Sequence, residues 1–128
     1  MPGTETLLTP EVFDQLQKAM AADRAGFTGL YREYLADAWR TLQLLRDTVK
    51  QQRRDEIRSK AHYLKSSSLV LGARAVARHA TELEELARES EITDELVLDR
   101  IADALTEVQA ELAERLGGGV LPAGRTAA

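Results

Sequence analysis

Residues 53–72 read RRDEIRSKAHYLKSSSLVLG, and within them Ile57, Ala61, Leu64, Ser68 and Leu71 recur at intervals of 4, 3, 4 and 3. That interval is one stripe along an α-helix of 3.6 residues per turn, the pattern of a bundle seam. Gly72 ends the stretch, a natural stop for a helix C-terminus. With the middle of the seam set at zero and a step of about 100° per residue, His62 lies near 140°, Arg58 near 100° and Lys65 near 80°. By the same rule Leu69 falls near 120°, Ser66 near 180° and Val70 near 220°. The spacing thus predicts a solvent-accessible His62 with Lys65 and Ser66 one turn away. It also predicts apolar surface at Leu69 and Val70, where a lone bundle needs none. Two readings fit this arrangement. One is a docking surface with a nucleophile at its centre. The other is an ordinary surface histidine, with Leu69 and Val70 covered by the first helix.

The rest of the chain reads as helix on either side. Pro occurs only at Pro2, Pro10 and Pro122, so nothing between Glu11 and Leu116 forbids a helix. No stretch alternates apolar and polar residues for long enough to make a strand. Thr9-Pro10-Glu11 carries an N-cap, a Pro at the first helical position and an acid in the first turn. Val12, Phe13, Leu16 and Met20 follow at helical spacing, which predicts a short first helix. Asp23 caps a long second helix with the stripe Phe27, Leu30, Tyr31, Tyr34, Leu35, Ala38, Leu42, Leu45 and Val49; Gly26 and Gly29 weaken its first turns. The third helix spans about 53–71. The fourth spans about 73–89, with Val76, Ala80, Leu83 and Leu86 or Ala87 inward. Thr93 caps the fifth, Ile92 and Val97 are placed for a hydrophobic staple, and Val97, Ile101, Ala104, Leu105, Val108 and Leu112 form its stripe. Short connections favour antiparallel neighbours. The expected fold is therefore all-α, an antiparallel up-down four-helix bundle with a short extra N-terminal helix. The expected organisation is a flexible N-terminus over 1–8, one bundle domain over 9–116 and a Gly-rich flexible tail over 117–128.

Composition narrows the chemistry. The 128 residues carry 17 Lys and Arg against 21 Asp and Glu, with 44% hydrophobic and 30% charged residues, the balance of a soluble globular domain. Cys is absent, which excludes a disulfide framework, a thiolate zinc site and a cysteine nucleophile. Apolar runs are far too short to span a bilayer, and residues 1–6 lack the basic start and apolar core of a signal peptide. A cytoplasmic protein is expected, with no membrane association, and Met1 favours a free-standing chain. A monomer is expected, because one bundle uses up the apolar stripes. Charge is uneven: residues 50–78 hold eight basic and two acidic side chains, and residues 82–115 hold twelve acidic and three basic. His62 therefore sits in the electropositive part of an acidic protein, which would attract an anionic surface or a phosphoryl group. Charge runs of this kind also arise as solvated helix faces.

Several chemistries drop out. A di-metal carboxylate bundle needs Glu-x-x-His on two helices, but Ser59 precedes His62 and Val76 precedes His79 at that spacing. His79 reads as a surface or boundary residue. Nucleic-acid binding has little support beyond Arg53-Arg54, given 5% aromatics and an isoelectric point near 5.2. Trp39 is expected to be partly buried on the second helix, where it could sit near a partner face. No Gly-rich nucleotide-binding segment is present, so the chain is not expected to phosphorylate itself from ATP. The His-acid and Arg-Thr-Pro pattern of a sensor-kinase dimerisation helix is also missing, since Tyr63-Leu64-Lys65 follows His62.

The segment His62-Tyr63-Leu64-Lys65-Ser66-Ser67-Ser68-Leu69-Val70-Leu71-Gly72-Ala73 closely resembles the signature of histidine-containing phosphotransfer (HPt) domains, His-x-Leu-Lys-Gly-Ser-Ser followed by Leu-Gly. His62, Leu64, Lys65, Ser67, Ser68, Leu71 and Gly72 match it. Ser66 departs from it, standing where the family usually has Gly. The resemblance extends over roughly 9–116. It implies a phosphoryl carrier rather than a stand-alone enzyme: His62 accepts the group from the aspartyl phosphate of a receiver domain and passes it to another receiver. It further implies Lys65 as charge support and Ser66 as the small neighbour that keeps the imidazole accessible. Arg58, Ser59, Leu69 and Val70 are then candidates for partner contact, and response-regulator receivers or a hybrid histidine kinase are the partners. No cofactor of its own is expected; Mg²⁺ would come with the receiver. The alternative is a bundle that binds a receiver or kinase as an adaptor and is never phosphorylated.

Overall fold

The computed structural model describes residues 8–92 and 95–122. These form α1 (Pro10–Ala19), α2 (Arg24–Lys50), α3 (Arg54–Val70), α4 (Arg74–Glu89) and α5 (Leu96–Leu116), then a 3₁₀ turn at Gly118–Val120, and no strand. The seam of α3 points inward as its spacing predicts: Ile57, Ala61, Leu64 and Ser68 are all fully buried. Each of the four long helices touches two others, in the cycle α2–α3–α4–α5, and α3 with α4 is the most extensive contact.

Specific bonds fix how these helices lie. The Tyr31 hydroxyl donates to the Leu71 carbonyl at 3.0 Å, and the Tyr34 and Ser68 hydroxyls pair at 2.7 Å, all buried between α2 and α3. At the other end of α3, Arg54 Nε and Nη2 donate to the carbonyls of Ala87 and Arg88 at 2.8 and 2.9 Å, satisfying orphan groups at the end of α4. Trp39 Nε1 donates to Gln109 at 2.9 Å, and Arg46 reaches Glu95 at 2.7 Å and Asp99 at 3.1 Å, both joining α2 to α5. Trp39 is half-buried as expected, but it faces α5 rather than α3. Arg100 reaches from α5 to Glu82 on α4 at 3.2 Å.

Two glycines have definite reasons. Gly72 turns the chain from α3 into α4 with φ of 83°, a left-handed backbone that favours glycine. A Cβ there would also come within 3.2 Å of the Val12 Cβ and 3.3 Å of the Thr9 nitrogen. This close approach lets Thr9 donate its N–H to the Gly72 carbonyl at 2.8 Å and its hydroxyl to the same oxygen at 3.3 Å. Thr9 thus occupies the cap position of α1, yet its side chain ties α1 to the α3–α4 corner instead of capping the helix. Gly26 leaves room for the Asp23 carboxylate, which accepts the Gly26 N–H at 2.9 Å and would crowd any Cβ at 2.2 Å.

The structure differs from the sequence expectation at both ends. Residues 1–7 and 123–128 lie outside the described residues, but Leu8 belongs to the core rather than to a flexible arm. The flexible tail does not begin at Gly117. There φ of 87° reverses the chain, Arg32 donates to the Gly119 carbonyl at 3.0 Å, and Val120 is fully buried. One apolar side chain immediately after the glycine run gains enough by burial to bring the backbone back. Thr93 lies outside the described residues; Glu95 holds the cap position of α5 without a side-chain capping bond, and Ile92 and Val97 are buried. On α4, Ala87 turns inward and Leu86 outward. Among the described residues no helix is long and apolar enough to cross a membrane.

Ser68→Ala removes the partner of the buried Tyr34 hydroxyl, and a loss of about 1–3 kcal/mol is expected by denaturant unfolding. Tyr34→Phe combined with Ser68→Ala should cost less than the sum of the two, and strict additivity would contradict the pairing. Burial raises the Tyr31 phenol to about 12 and the Tyr34 phenol further. The unfolded chain ionises these groups near the ordinary value of 10.0, so their contribution to stability is complete below that pH and is lost as pH rises toward 12. Tyrosinate absorbance of these two rings should appear only with unfolding; a simple titration centred at the ordinary value in folded protein would contradict their burial.

Candidate functional site

Because Ser68 points inward, the helical step turns His62 outward, and its side chain is 60% exposed near the middle of α3. The ring has a neighbour that periodicity on α3 does not disclose. Glu84 of α4, only 15% exposed, places Oε2 3.3 Å from His62 Nδ1. A carboxylate accepts and cannot donate, so this contact favours a proton on the nitrogen that faces it. Nε2, on the far side of the ring, is then the nitrogen left with a free lone pair. Glu84 also lies 3.8 Å from Arg88, one turn further along α4.

The other predicted residues take these places. Lys65 is half-buried and, among the described residues, makes no hydrogen bond or ion pair. Ser66 and Ser59 are exposed. Arg58 is half-buried; its guanidinium keeps one long contact, 3.9 Å to Asp55, and its Nε is buried with no hydrogen-bond partner. Leu69 and Val70 are 52% and 68% exposed, so α1 does not cover them. Beside them stands Tyr63, 51% exposed, whose hydroxyl donates to Asp37 of α2. That bond, more than burial, lifts the Tyr63 phenol above its ordinary range. Asp37 also accepts from Arg40 at 2.8 Å, and Leu30, Tyr34, Val70 and Tyr63 line a groove between α2 and α3. His62, Lys65 and Ser66 therefore share one surface with Leu69 and Val70, with Glu84 of α4 on one side and Tyr63, bonded to Asp37 of α2, on the other.

The remaining signature residues are structural. Leu64 and Leu71 are core, Ser67 donates to the Leu64 carbonyl at 3.2 Å, Ser68 pairs with Tyr34, and Gly72 makes the turn. His79 is half-buried and points elsewhere, with Nδ1 3.3 Å from Glu82. No cluster of His, Asp or Glu among the described residues could hold a metal ion. Glu84 was hidden because its approach depends on the register of α3 against α4. The available signal was distance from the turn: His62 lies ten residues before Gly72 and Glu84 twelve after it.

A family model described as Hpt domain matches residues 29–111. Among solved structures, histidine-containing phosphotransfer protein B (HptB) from Pseudomonas aeruginosa PAO1 superposes with a TM-score of 0.80 at 22% identity, over 88% of this chain and 96% of that one. At that identity the likeness shows the fold. None of the curated proteins matches this chain.

Glu84→Ala should change the protonation pattern of the His62 ring without unfolding the bundle. Nitrogen-detected NMR of the neutral ring is expected to find the proton on Nδ1 in the parent chain and shared between both nitrogens in the variant. The same tautomer in both would show that Glu84 does not orient the ring.

Proposed function

The chain belongs to the Hpt domain family, the histidine phosphotransfer domains of phosphorelay signalling, and from that premise we propose that it accepts a phosphoryl group from a receiver-domain aspartate onto His62 and passes it to another receiver. The observation that carries this reading is the exposed imidazole with Nδ1 turned to Glu84 and Nε2 left free. Nε2 attacks phosphorus in line as the bond to the aspartyl oxygen breaks, and Nδ1 keeps its proton. The product ring is then cationic, and the Glu84 carboxylate beside Nδ1 favours that form. Lys65 offsets charge on the phosphoryl oxygens, since phosphoryl transfer asks mainly for positioning and charge stabilisation. Mg²⁺ belongs to the receiver in this reading.

The surface around His62 suits such a visitor. Leu69, Val70 and Tyr63 give an apolar rim, Ser66 is small enough to let another backbone approach, and Ser59 and Arg58 extend the contact toward the start of α3. Tyr31 near the start of α2 bonds to Leu71 beyond the end of α3, and Arg54 at the start of α3 bonds to the end of α4. Arg46 in the second half of α2 bonds to Glu95 and Asp99 around the start of α5. These pairings support an antiparallel up-down four-helix bundle with α1 added at one end. A cytoplasmic monomer working with response-regulator receivers or a hybrid histidine kinase fits this reading.

Incubation with a receiver domain phosphorylated on Asp, with Mg²⁺, tests it. The chain should gain an acid-labile, base-stable label that His62→Gln abolishes. Lys65→Ala should stay folded and transfer more slowly, on the order of 10–100-fold. Ser66→Gln should block docking by bulk. A chain that binds the receiver equally well and never takes label would be an adaptor instead.

A further inference from the structure

Several guanidinium groups in this protein hold an acceptor closely. Arg32, Arg40, Arg46 and Arg54 reach oxygen atoms at 2.7 to 3.0 Å. The two that flank His62 do not. Arg58 has a 3.9 Å contact to Asp55, a fully exposed carboxylate, and a buried Nε without an acceptor. Arg88 has a 3.8 Å contact to Glu84, whose same oxygen faces His62. Charge-assisted bonds ordinarily close to about 2.7–2.9 Å, so both cations are under-committed.

Their positions converge. A helical side chain leans toward the N-terminus of its helix, so the His62 ring lies over the turn that carries Arg58. Glu84 faces the same ring from α4, with Arg88 one turn beyond it. The charged groups around the ring are Glu84, in contact with it, Arg88 3.8 Å from that carboxylate, and Arg58 and Lys65 on the adjoining turns of α3, with Asp55 3.9 Å from Arg58. On the α2 side, Asp37 is already engaged by Tyr63 and Arg40.

We propose that Arg58 and Arg88 form a guanidinium clamp that closes on the phosphoryl group once it is on His62. Arg58 gains in a phosphoryl oxygen the acceptor that its Nε lacks. Arg88 exchanges its long contact with Glu84 for another phosphoryl oxygen, which leaves Glu84 to the Nδ1 proton. The clamp makes the carrier a store: the dianion is held by two forked donors from two helices until a receiver displaces them. This rests on the phosphoryl-carrier reading of His62 and adds to it the groups that hold the stored form.

Phosphoramidate, a small donor that needs no receiver, loads the protein for the test. Nε2 attacks phosphorus, the P–N bond of the zwitterionic donor breaks, ammonia leaves, and the ring remains protonated at Nδ1. The second ionisation of the bound phosphoryl group is then followed by phosphorus NMR, alongside the decay of the label and far-ultraviolet circular dichroism. Arg58→Gln and Arg88→Gln should each raise that ionisation by about one pH unit, because each removes a nearby opposite charge. Both should shorten the label's lifetime severalfold, Arg58→Lys should fall between, and Arg74→Gln at the start of α4 should match the parent chain. Titration curves for both Gln variants that superimpose on the parent curve would overturn the clamp while leaving the carrier reading intact. A parent chain that takes no label would overturn both.

Discussion

The rotation of α3 about its own axis is the constraint on which the site depends. A helix turns about 100° per residue, so an error of one position would carry His62 from solvent to the edge of the core. Ser68 sets that rotation. Its hydroxyl is buried and paired with Tyr34 at 2.7 Å, and the Leu71 carbonyl one turn later is held by Tyr31 at 3.0 Å. Turning α3 would strand two buried hydroxyls, each at about 1–3 kcal/mol, besides breaking the packing of Ile57, Ala61 and Leu64. The polar half of the signature is thus split by role: Ser68 faces inward and fixes the angle, while His62, Lys65 and Ser66 take up the face that the angle exposes.

What that face does follows from how little phosphoryl transfer requires of a carrier. In the proposed reading the chain supplies the His62 imidazole as nucleophile, the Glu84 carboxylate at the ring's other nitrogen and cations for the phosphoryl oxygens. Glu84 contacts His62 and Arg88, and Arg58 and Lys65 stand on the adjoining turns of α3, within a stretch that is basic although the whole chain carries net charge -4. The apolar residues around it are left in water. Tyr63, Leu69 and Val70 are all more than half exposed, which suits the partner surface proposed for this face.

Much of this was legible because it lies on single helices. The 4, 3, 4, 3 interval placed Ile57, Ala61, Leu64 and Ser68 inward and left His62, Leu69 and Val70 outside, and Thr9, Pro10 and Asp23 marked helix starts that the fold uses. The parts that stayed hidden are contacts between helices. Glu84 against His62, Tyr63 against Asp37 and Trp39 against Gln109 all depend on how far one helix slides along another, which the periodicity of either helix alone does not determine. The chain ends misled for another reason. Three consecutive glycines suggest a loose tail, yet Val120 beyond them is apolar and finds a place in the core. Leu8, just before the first cap, does the same.

The carrier role of His62 is tested most directly by where phosphorus bonds. Nitrogen–phosphorus coupling in the phosphorylated, nitrogen-15-labelled protein identifies the atom. A bond to Nε2 of His62 is expected, with a proton retained on Nδ1. Phosphorus on Nδ1 of His62, on His79, or on no histidine at all would contradict it.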